Sequence, residues 1–160
     1  MNEDLKTEAL SIWEKGYKLQ LLGKHEEAIA IYRESISIFP TSEAYTFLGW
    51  AFSFKQKYHI AISYCKQAIE LDPEFGNPYN DIGAYLIQLK KFEEAIPWLQ
   101  KALEAKRYDA YHFAYLNLGH VFEELGKWLE AVRYYSYAIE IDPNYEPAVT
   151  AKRNLLAKMN

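Results

Sequence analysis

The sequence predicts an all-α fold, a solenoid of antiparallel helical hairpins stacked on one another. Three observations support this prediction. A unit of roughly 34 residues recurs four times along the 160-residue chain. Each unit contains two stretches in which apolar residues recur at helical spacing, three and four positions apart. Small residues occupy the same place in every unit, where they let two helix backbones approach closely.

The repetition is clearest between the second and fourth units. Residues 56–73 read QKYHIAISYCKQAIELDP, and residues 126–143 read GKWLEAVRYYSYAIEIDP. A glycine and, twelve residues later, an alanine recur in all four units. These residues are Gly16 and Ala28, Gly49 and Ala61, Gly83 and Ala95, and Gly119 and Ala131. A single hairpin cannot bury both of its faces, so the four units are expected to stack into one core.

The first two hairpins are predicted over about residues 9–41 and 42–75. Each ends near a proline, Pro40 and Pro73, which is unfavourable inside a helix and therefore marks its end. The first unit departs most from the repeated pattern, because Lys15 occupies a position that is apolar in the other units. A polar residue is acceptable there because the first helix lies at the end of the stack.

The third and fourth hairpins are predicted over about residues 76–111 and 112–145, with two surplus residues between them. Arg107 stands where the other units have proline, and we expect Asp109 to cap the following helix. Insertions in loops cost little free energy, so we interpret this one as a longer turn without consequence. Gly126 predicts the turn between the two helices of the fourth hairpin.

A capping helix is predicted over about residues 146–158. Its apolar residues share one side: Ala148, Val149, Ala151, Leu155 and Leu156. That side can cover the fourth hairpin while the opposite side meets water, as the terminal elements of solenoids require. No linker interrupts the chain, so residues 1–160 are predicted to form a single domain.

The pattern within each unit resembles the tetratricopeptide repeat family. The fourth unit carries that pattern in Tyr115, Leu118, Gly119, Phe122, Ala131, Tyr135, Ala138 and Pro143. The second unit carries it from Tyr45 to Pro73, and the third lacks only the proline. The resemblance implies a right-handed superhelix whose first helices line a concave groove. It also implies a role as an adaptor or scaffold that holds a peptide or helix of another protein in that groove.

The resemblance further implies which residues line the groove. In the family they occupy the second, fifth, ninth and twelfth positions of each unit, which share one helical face. The fifth, ninth and twelfth positions hold Trp13, Tyr17 and Gln20; Thr46, Trp50 and Ser53; Asn80, Ala84 and Ile87; and Leu116, His120 and Glu123. One chaperone-binding subset of the family grips a terminal carboxylate with a set of Lys, Asn and Arg side chains. That set is absent here, so binding of a chaperone's acidic tail is not expected.

Three aromatic candidates, Trp13, Tyr17 and Trp50, indicate the kind of partner. Aromatic side chains contribute strongly to binding at protein interfaces, so we expect a peptide or helix with apolar or aromatic anchors. In a competing interpretation these rings pack on one another or cover residues 1–8. In a second alternative the protein is a structural subunit that self-associates, for example as a homodimer, through the same aromatic surface.

Composition and charge argue against several other classes. The formal net charge is -4 and the basic residues are scattered, so no nucleic-acid partner is expected. No apolar run approaches the roughly 20 residues that a membrane-spanning helix needs, so membrane insertion is not expected. The lone Cys65 and the absence of a secretory signal pattern favour the cytoplasm.

Catalytic and cofactor-binding motifs are not evident, so we expect neither an enzyme nor a cofactor. The glycine-rich phosphate-binding and dinucleotide-binding patterns and the HExxH zinc motif do not occur. His120 with Glu123 or Glu124 has helical spacing for a metal, but a second His/Glu set is missing. We therefore interpret His120 as a solvated groove residue, and Cys65 as a buried, inert thiol in a core column.

Overall fold

The computed structural model describes residues 1–160, which form nine α-helices. They are α1 (Asn2–Leu21), α2 (His25–Ile38), α3 (Ser42–Ser53), α4 (Tyr58–Leu71), α5 (Asn77–Gln88), α6 (Phe92–Glu104), α7 (Tyr111–Glu124), α8 (Trp128–Ile141) and α9 (Glu146–Met159). Each odd-numbered helix up to α7 packs on the next helix as a hairpin, and α9 packs on α8. The predicted all-α solenoid of stacked hairpins is confirmed. None of the nine helices has both the length and the apolar character needed to cross a membrane.

The helices form two layers, which differ in their contacts between hairpins. Each odd-numbered helix touches the next odd-numbered helix, from α1 and α3 through to α7 and α9. The even-numbered helices lie farther apart, and no two of them bring Cα atoms within 8 Å of each other. The stack is therefore narrower on the side of the odd-numbered helices and curves toward them. Residues on α1, α3, α5 and α7 consequently line the inner surface, where the candidate groove lies.

In each hairpin, the glycine that recurs in the first helix packs against a side chain of the second helix. A Cβ built on Gly16 would lie 2.6 Å from Cε1 of Tyr32, and one on Gly119 would overlap the ring of Tyr135. The facing residues are all fully buried: Tyr32, Cys65, Leu99 and Tyr135. The prediction that Gly119 is a contact point between helices is confirmed. Burial also raises the pKa of the Cys65 thiol, as expected for an unreactive core cysteine.

The turn inside each hairpin repeats the same backbone conformation. One residue there has a positive φ: Gly23 (75°), Gln56 (57°), Lys90 (57°) and Gly126 (73°). The next residue donates its N–H to a carbonyl five residues earlier, as Lys127 does to Phe122 at 2.8 Å. This bond belongs to a common helix-ending motif in which glycine is favoured, so the predicted role of Gly126 is confirmed. Gln56 and Lys90 adopt the same conformation less favourably, because a Cβ crowds the left-handed region.

The C-terminal helix α9 covers one end of the stack. Ala148 and Leu155 are fully buried in a cluster with residues of α7 and α8. Leu156 is 41% exposed, so its assignment to the covered side was wrong. One residue of an α-helix turns the side chain by about 100°, which carries Leu156 away from the contact that Leu155 makes.

The loop between α6 and α7, which contains the two surplus residues, is anchored to the preceding inter-hairpin loop. The backbone N–H of Arg107 donates to the carbonyl of Glu74 at 2.9 Å, and that of Gly76 donates to the carbonyl of Arg107 at 3.1 Å. The interpretation of this segment as a turn without consequence was therefore wrong. The expected cap was also wrong: α7 follows Ala110, and no side chain, including that of Asp109, caps its first turn.

Candidate binding groove

A cavity of about 400 Å³ opens on the inner surface of the solenoid. Its apolar wall consists of Tyr17, Phe47, Trp50, Tyr108, Ala110, Phe113, Leu116 and Tyr145. Its polar lining consists of Thr46, Asn77, Asn80, Asp81 and Asn117. We call this space the central cavity. It joins side chains from α1, α3, α5 and α7 with residues of the loop before α7 and of the loop between α8 and α9.

Five candidates from the sequence line the central cavity: Tyr17, Thr46, Trp50, Asn80 and Leu116. The sequence interpretation missed three further residues that follow a candidate directly in the chain: Phe47, Asp81 and Asn117. Each occupies the sixth position of its unit. Adjacent helix positions differ by about 100°, so the inner face is rotated from the fifth position toward the sixth. These residues share the sixth position but no chemical type, so no column of similar residues signalled them in the sequence.

The aromatic cluster at the N-terminal side of the cavity is centred on Phe47. Its ring centroid lies 5.2 Å from those of Trp13 and Tyr17 and 5.7 Å from that of Trp50. The rings therefore pack on one another, as the competing interpretation held. They do not cover residues 1–8, because those residues belong to the exposed start of α1. Tyr17 and Trp50 also face the central cavity, so mutual packing and exposure to a ligand coexist.

Trp13 differs from Trp50 in its surroundings. Trp13 packs against the core and does not line the central cavity. Its indole Nε1 is buried without a hydrogen-bond partner. Trp50 contacts the half-exposed Phe54, with 5.4 Å between ring centroids, and borders the cavity. Of these two tryptophans, Trp50 is the one placed to touch a bound molecule.

The polar lining contains a short chain of hydrogen bonds between side chains. Asn117 Nδ2 donates to Asn80 Oδ1 at 3.0 Å, and Asn80 Nδ2 donates to Asp81 Oδ1 at 3.5 Å. Burial raises the pKa of Asp81 to about 7, and the hydrogen bond from Asn80 opposes this shift. The cavity thus holds two amides in fixed orientation and a carboxyl group in an environment that disfavours its charge.

Tyr108 reaches the cavity because of the loop that precedes α7. Its side chain is 7% exposed and packs on Gly76, where any Cβ would overlap it. Burial raises the pKa of the Tyr108 hydroxyl, and the charge of Asp81 adds to this effect. The surplus residues have no counterpart in the other units, so no repeat column could have indicated this wall of the cavity.

Three further candidates do not line the central cavity. Gln20 is buried and its Oε1 accepts a hydrogen bond of 2.7 Å from the hydroxyl of Tyr32. Ser53 Oγ donates to the backbone carbonyl of Trp50 at 2.7 Å. Ala84 is partly buried on α5 and lies outside the cavity.

The remaining candidates, Ile87, His120 and Glu123, lie toward the other end of their helices. The hydroxyl of Tyr135 donates to Glu123 Oε2 at 2.7 Å and lies 3.0 Å from His120 Nδ1. Lys158 of α9 donates to Glu123 Oε1 at 2.8 Å. His120 is partly buried, and burial lowers its pKa. Ile87 and His120 border a separate shallow depression.

No group of three or more His, Cys, Asp or Glu side chains is arranged to hold a metal ion. The carboxylate of Glu123, which shares the Tyr135 hydroxyl with His120, is already bonded to Lys158. The inner surface offers a concave space whose apolar wall is largely aromatic, together with oriented polar groups.

Several curated proteins show sequence similarity to this chain, including proteins of Arabidopsis thaliana and Pseudomonas aeruginosa. Anaphase-promoting complex subunit 6 of Arabidopsis thaliana is 25% identical over 120 residues, covering 72% of this chain and 22% of the relative. The type IV pilus assembly protein PilF of Pseudomonas aeruginosa is 25% identical over 137 residues, covering 85% of this chain and 54% of the relative. The chain therefore spans from about a fifth to about half of the length of these relatives.

Similar folds occur among solved structures. The Pseudomonas aeruginosa PilF structure has a TM-score of 0.88 at 21% identity, covering 99% of this chain and 70% of that one. YrrB, described as a TPR protein with an unusual peptide-binding site, has a TM-score of 0.68 at 22% identity, covering 94% and 77%. At such identities the likeness concerns the fold. Tetratricopeptide repeat profiles match residues 11–42, 42–75 and 75–144, and the chain belongs to the tetratricopeptide repeat family.

Proposed function

We propose that this protein is a binding module that holds a peptide or helix of a partner protein in the central cavity. Proteins of this family generally act in protein–protein interaction, and we propose binding rather than catalysis as the role here. The observation that carries the proposal is an inward-facing cavity of about 400 Å³ walled largely by aromatic side chains. Binding pockets are typically concave and mostly apolar, with a few placed polar groups.

The shape and chemistry of the cavity support a segment with apolar or aromatic anchors. Trp50 and Phe113 border it, and Phe113 is 42% exposed, so large apolar surfaces are available to a partner. Asn80 and Asn117 add amide groups, which both donate and accept hydrogen bonds and so suit a peptide main chain. YrrB, which has a similar fold, is described as having a peptide-binding site, and this supports peptide binding as the kind of role proposed here.

Self-association through the aromatic surface is the alternative function. It requires the protein to dimerise without a partner, whereas a peptide-binding module stays monomeric until a segment is supplied. Light scattering over a concentration series separates the two. A monomer throughout the micromolar range supports the proposal, and a dimer that Trp50→Ala dissociates favours the alternative.

The proposal is tested by selecting peptides from a random display library on the wild-type protein. Affinity of the selected peptides is then measured by fluorescence anisotropy. Replacing a central aromatic anchor typically costs about 2 kcal/mol or more of binding, so Trp50→Ala should weaken binding by about 30-fold or more. Helical circular dichroism and the thermal midpoint should change little, because Trp50 lies at the border of the cavity.

The matched control is Trp128→Ala, which removes the same side chain from the outer helix α8, where it is 42% exposed. This variant should bind the selected peptides as the wild type does. The proposal fails if no peptide is selected. It also fails if Trp50→Ala melts like a core variant and binding falls only in proportion to unfolding.

A further inference from the structure

The central cavity contains one charged side chain, and that side chain has no counter-charge. Asp81 lines the cavity, and no Lys, Arg or His lines it. The one side-chain hydrogen bond that Asp81 receives comes from the neutral amide of Asn80, at 3.5 Å. A partly buried carboxylate normally has a cation or several donors around it, because removal from water is otherwise unfavourable. In the free protein, the carboxylate of Asp81 therefore lacks a cation to balance its charge.

The walls around this carboxyl group suit a positive charge. Four aromatic residues line the same cavity as Asp81: Phe47 and Trp50 of α3, whose ring centroids are 5.7 Å apart, and Phe113 and Tyr145, whose ring centroids are 5.5 Å apart. Aromatic faces carry negative electrostatic potential and attract ammonium and guanidinium groups. The aliphatic stem of a lysine or arginine packs on the same rings while its charged head reaches a polar group. Aromatic walls and the carboxyl of Asp81 thus favour the same kind of occupant.

We propose that the central cavity binds a lysine or arginine side chain of the partner segment, whose charged head pairs with Asp81 between the aromatic walls. This inference rests on the proposed function and adds a basic residue to the apolar and aromatic anchors already expected. A volume of about 400 Å³ falls within the range of cavities that enclose small ligands, so one long side chain fits.

Other occupants meet the requirements of the site less well. An apolar side chain would displace water from Asp81 without replacing its hydrogen bonds. An acidic side chain would place a second negative charge beside the first. A neutral donor such as a hydroxyl would satisfy the carboxyl group but would not use its charge. The comparison of charged and neutral probes below separates these cases.

The test uses Nα-acetyl-lysine N-methylamide as the probe and Nα-acetyl-norleucine N-methylamide as its uncharged counterpart with the same stem. Both are titrated into 15N-labelled wild-type protein at about pH 8, above the pKa of about 7 of Asp81. The lysine probe should shift the Trp50 indole resonance and the side-chain amide resonances of Asn80 and Asn117. It should bind at least tenfold more tightly than the norleucine probe.

The variant Asp81→Asn keeps the shape of the side chain and removes its charge. It should weaken binding of the lysine probe at least tenfold, a loss of about 1.4 kcal/mol, because the ammonium loses its negative partner. The affinity of the norleucine probe should stay within about twofold, because that probe carries no charge. Asp109→Asn is the matched control, since Asp109 is an exposed carboxylate on the nearby loop and does not line the cavity. It should leave both affinities unchanged.

Equal affinity of the two probes for the wild-type protein overturns the inference, and this comparison does not depend on any variant folding. An affinity for the lysine probe that Asp81→Asn leaves unchanged overturns it as well. Either result is compatible with selected peptides whose binding Trp50→Ala abolishes. In that case the proposed function stands without the basic anchor. Conversely, tight binding of the lysine probe with no selected peptide supports the cation site and counts against peptide binding.

Discussion

Arg107 holds Asp72 through two hydrogen bonds from one guanidinium, 2.6 Å from Nη2 and 3.0 Å from Nε to the same carboxylate oxygen. Asp72 ends the second hairpin, and Arg107 lies in the loop after the third, so the pair joins two hairpins. The guanidinium also lies 4.7 Å from the ring centroid of Phe75 and 3.3 Å from a carboxylate oxygen of Glu43. These contacts fix the loop that carries Tyr108 to the central cavity.

Arg107→Ala should lower the free energy of unfolding by about 1 kcal/mol at low ionic strength. The expected loss is modest because the Arg107 side chain is 50% exposed and water screens its charge. It exceeds the value for an isolated surface pair because one guanidinium serves two carboxylates and an aromatic ring. Urea denaturation at low and at about 1 M salt checks this, and the loss should shrink at high salt.

Lys106→Ala is the control for that measurement. Lys106 is the neighbouring basic residue, 81% exposed, with its ammonium 3.7 Å from Glu74. Its removal should change the free energy of unfolding by less than about 0.5 kcal/mol. Equal losses in the two variants would mean that the contacts of Arg107 add nothing to stability beyond those of an ordinary surface charge.

Gly119→Ala should lower the free energy of unfolding by about 1 to 3 kcal/mol, although alanine is the better helix former. The added Cβ would overlap the ring of Tyr135, which is fully buried and bonded to Glu123 and so cannot easily move aside. Thermal and urea unfolding measure the change. Glu124→Ala, an exposed substitution in the same helix, should stay within about 0.5 kcal/mol. An unchanged or raised stability of Gly119→Ala would show that this contact relaxes freely.

The sequence predicted the hairpin packing closely because the residues that recur in every unit are the ones that form the packing contacts. Gly119 recurs with Gly16 because each must lie against a side chain of the following helix, Tyr135 or Tyr32. Such contacts are the same in every unit, so repetition reveals them. The turn at Gly126 was predicted from the glycine itself, which favours the positive φ of 73° found there.

The cavity was predicted less well because its residues differ from unit to unit. Phe47, Asp81 and Asn117 share the sixth position but no chemical type, so no column of similar residues indicated the face that they line. The curvature of the stack selects this face, and curvature depends on how whole hairpins pack. Tyr108 was missed for a different reason, since it belongs to the loop that contains the two surplus residues, which have no counterpart in the other units.

Gln56→Gly and Lys90→Gly should each raise the free energy of unfolding by up to about 1 kcal/mol. Both residues have a φ of 57°, a region that costs a residue with a Cβ about 1 to 2 kcal/mol and costs glycine little. The greater flexibility of glycine in the unfolded chain offsets part of this gain. The reverse change, Gly126→Ala, should destabilise the protein by about 1 kcal/mol. Thermal midpoints of the three variants give the test, and a lower midpoint for both glycine variants would contradict it.

Asp81→Asn should stabilise the protein against unfolding at pH 8 and have almost no effect at pH 4. Burial raises the pKa of Asp81 from 3.8 to about 7, so between these values the folded state holds a proton that the unfolded state has released. The contribution of Asp81 to stability therefore falls as pH rises through this window. Above the folded pKa the penalty is complete, on the order of 2 to 4 kcal/mol at 1.36 kcal/mol per pKa unit.

Urea unfolding of wild type and Asp81→Asn from pH 4 to pH 8 measures this penalty as a difference, so titrations common to both proteins cancel. The neighbouring groups Cys65, Tyr85 and Tyr108 stay neutral throughout, because burial raises the pKa of each. Asp109→Asn, an exposed control, should follow the wild type at every pH. A stability difference that stays constant from pH 4 to pH 8 would mean that Asp81 has an ordinary pKa, and that its carboxylate is well solvated in the central cavity.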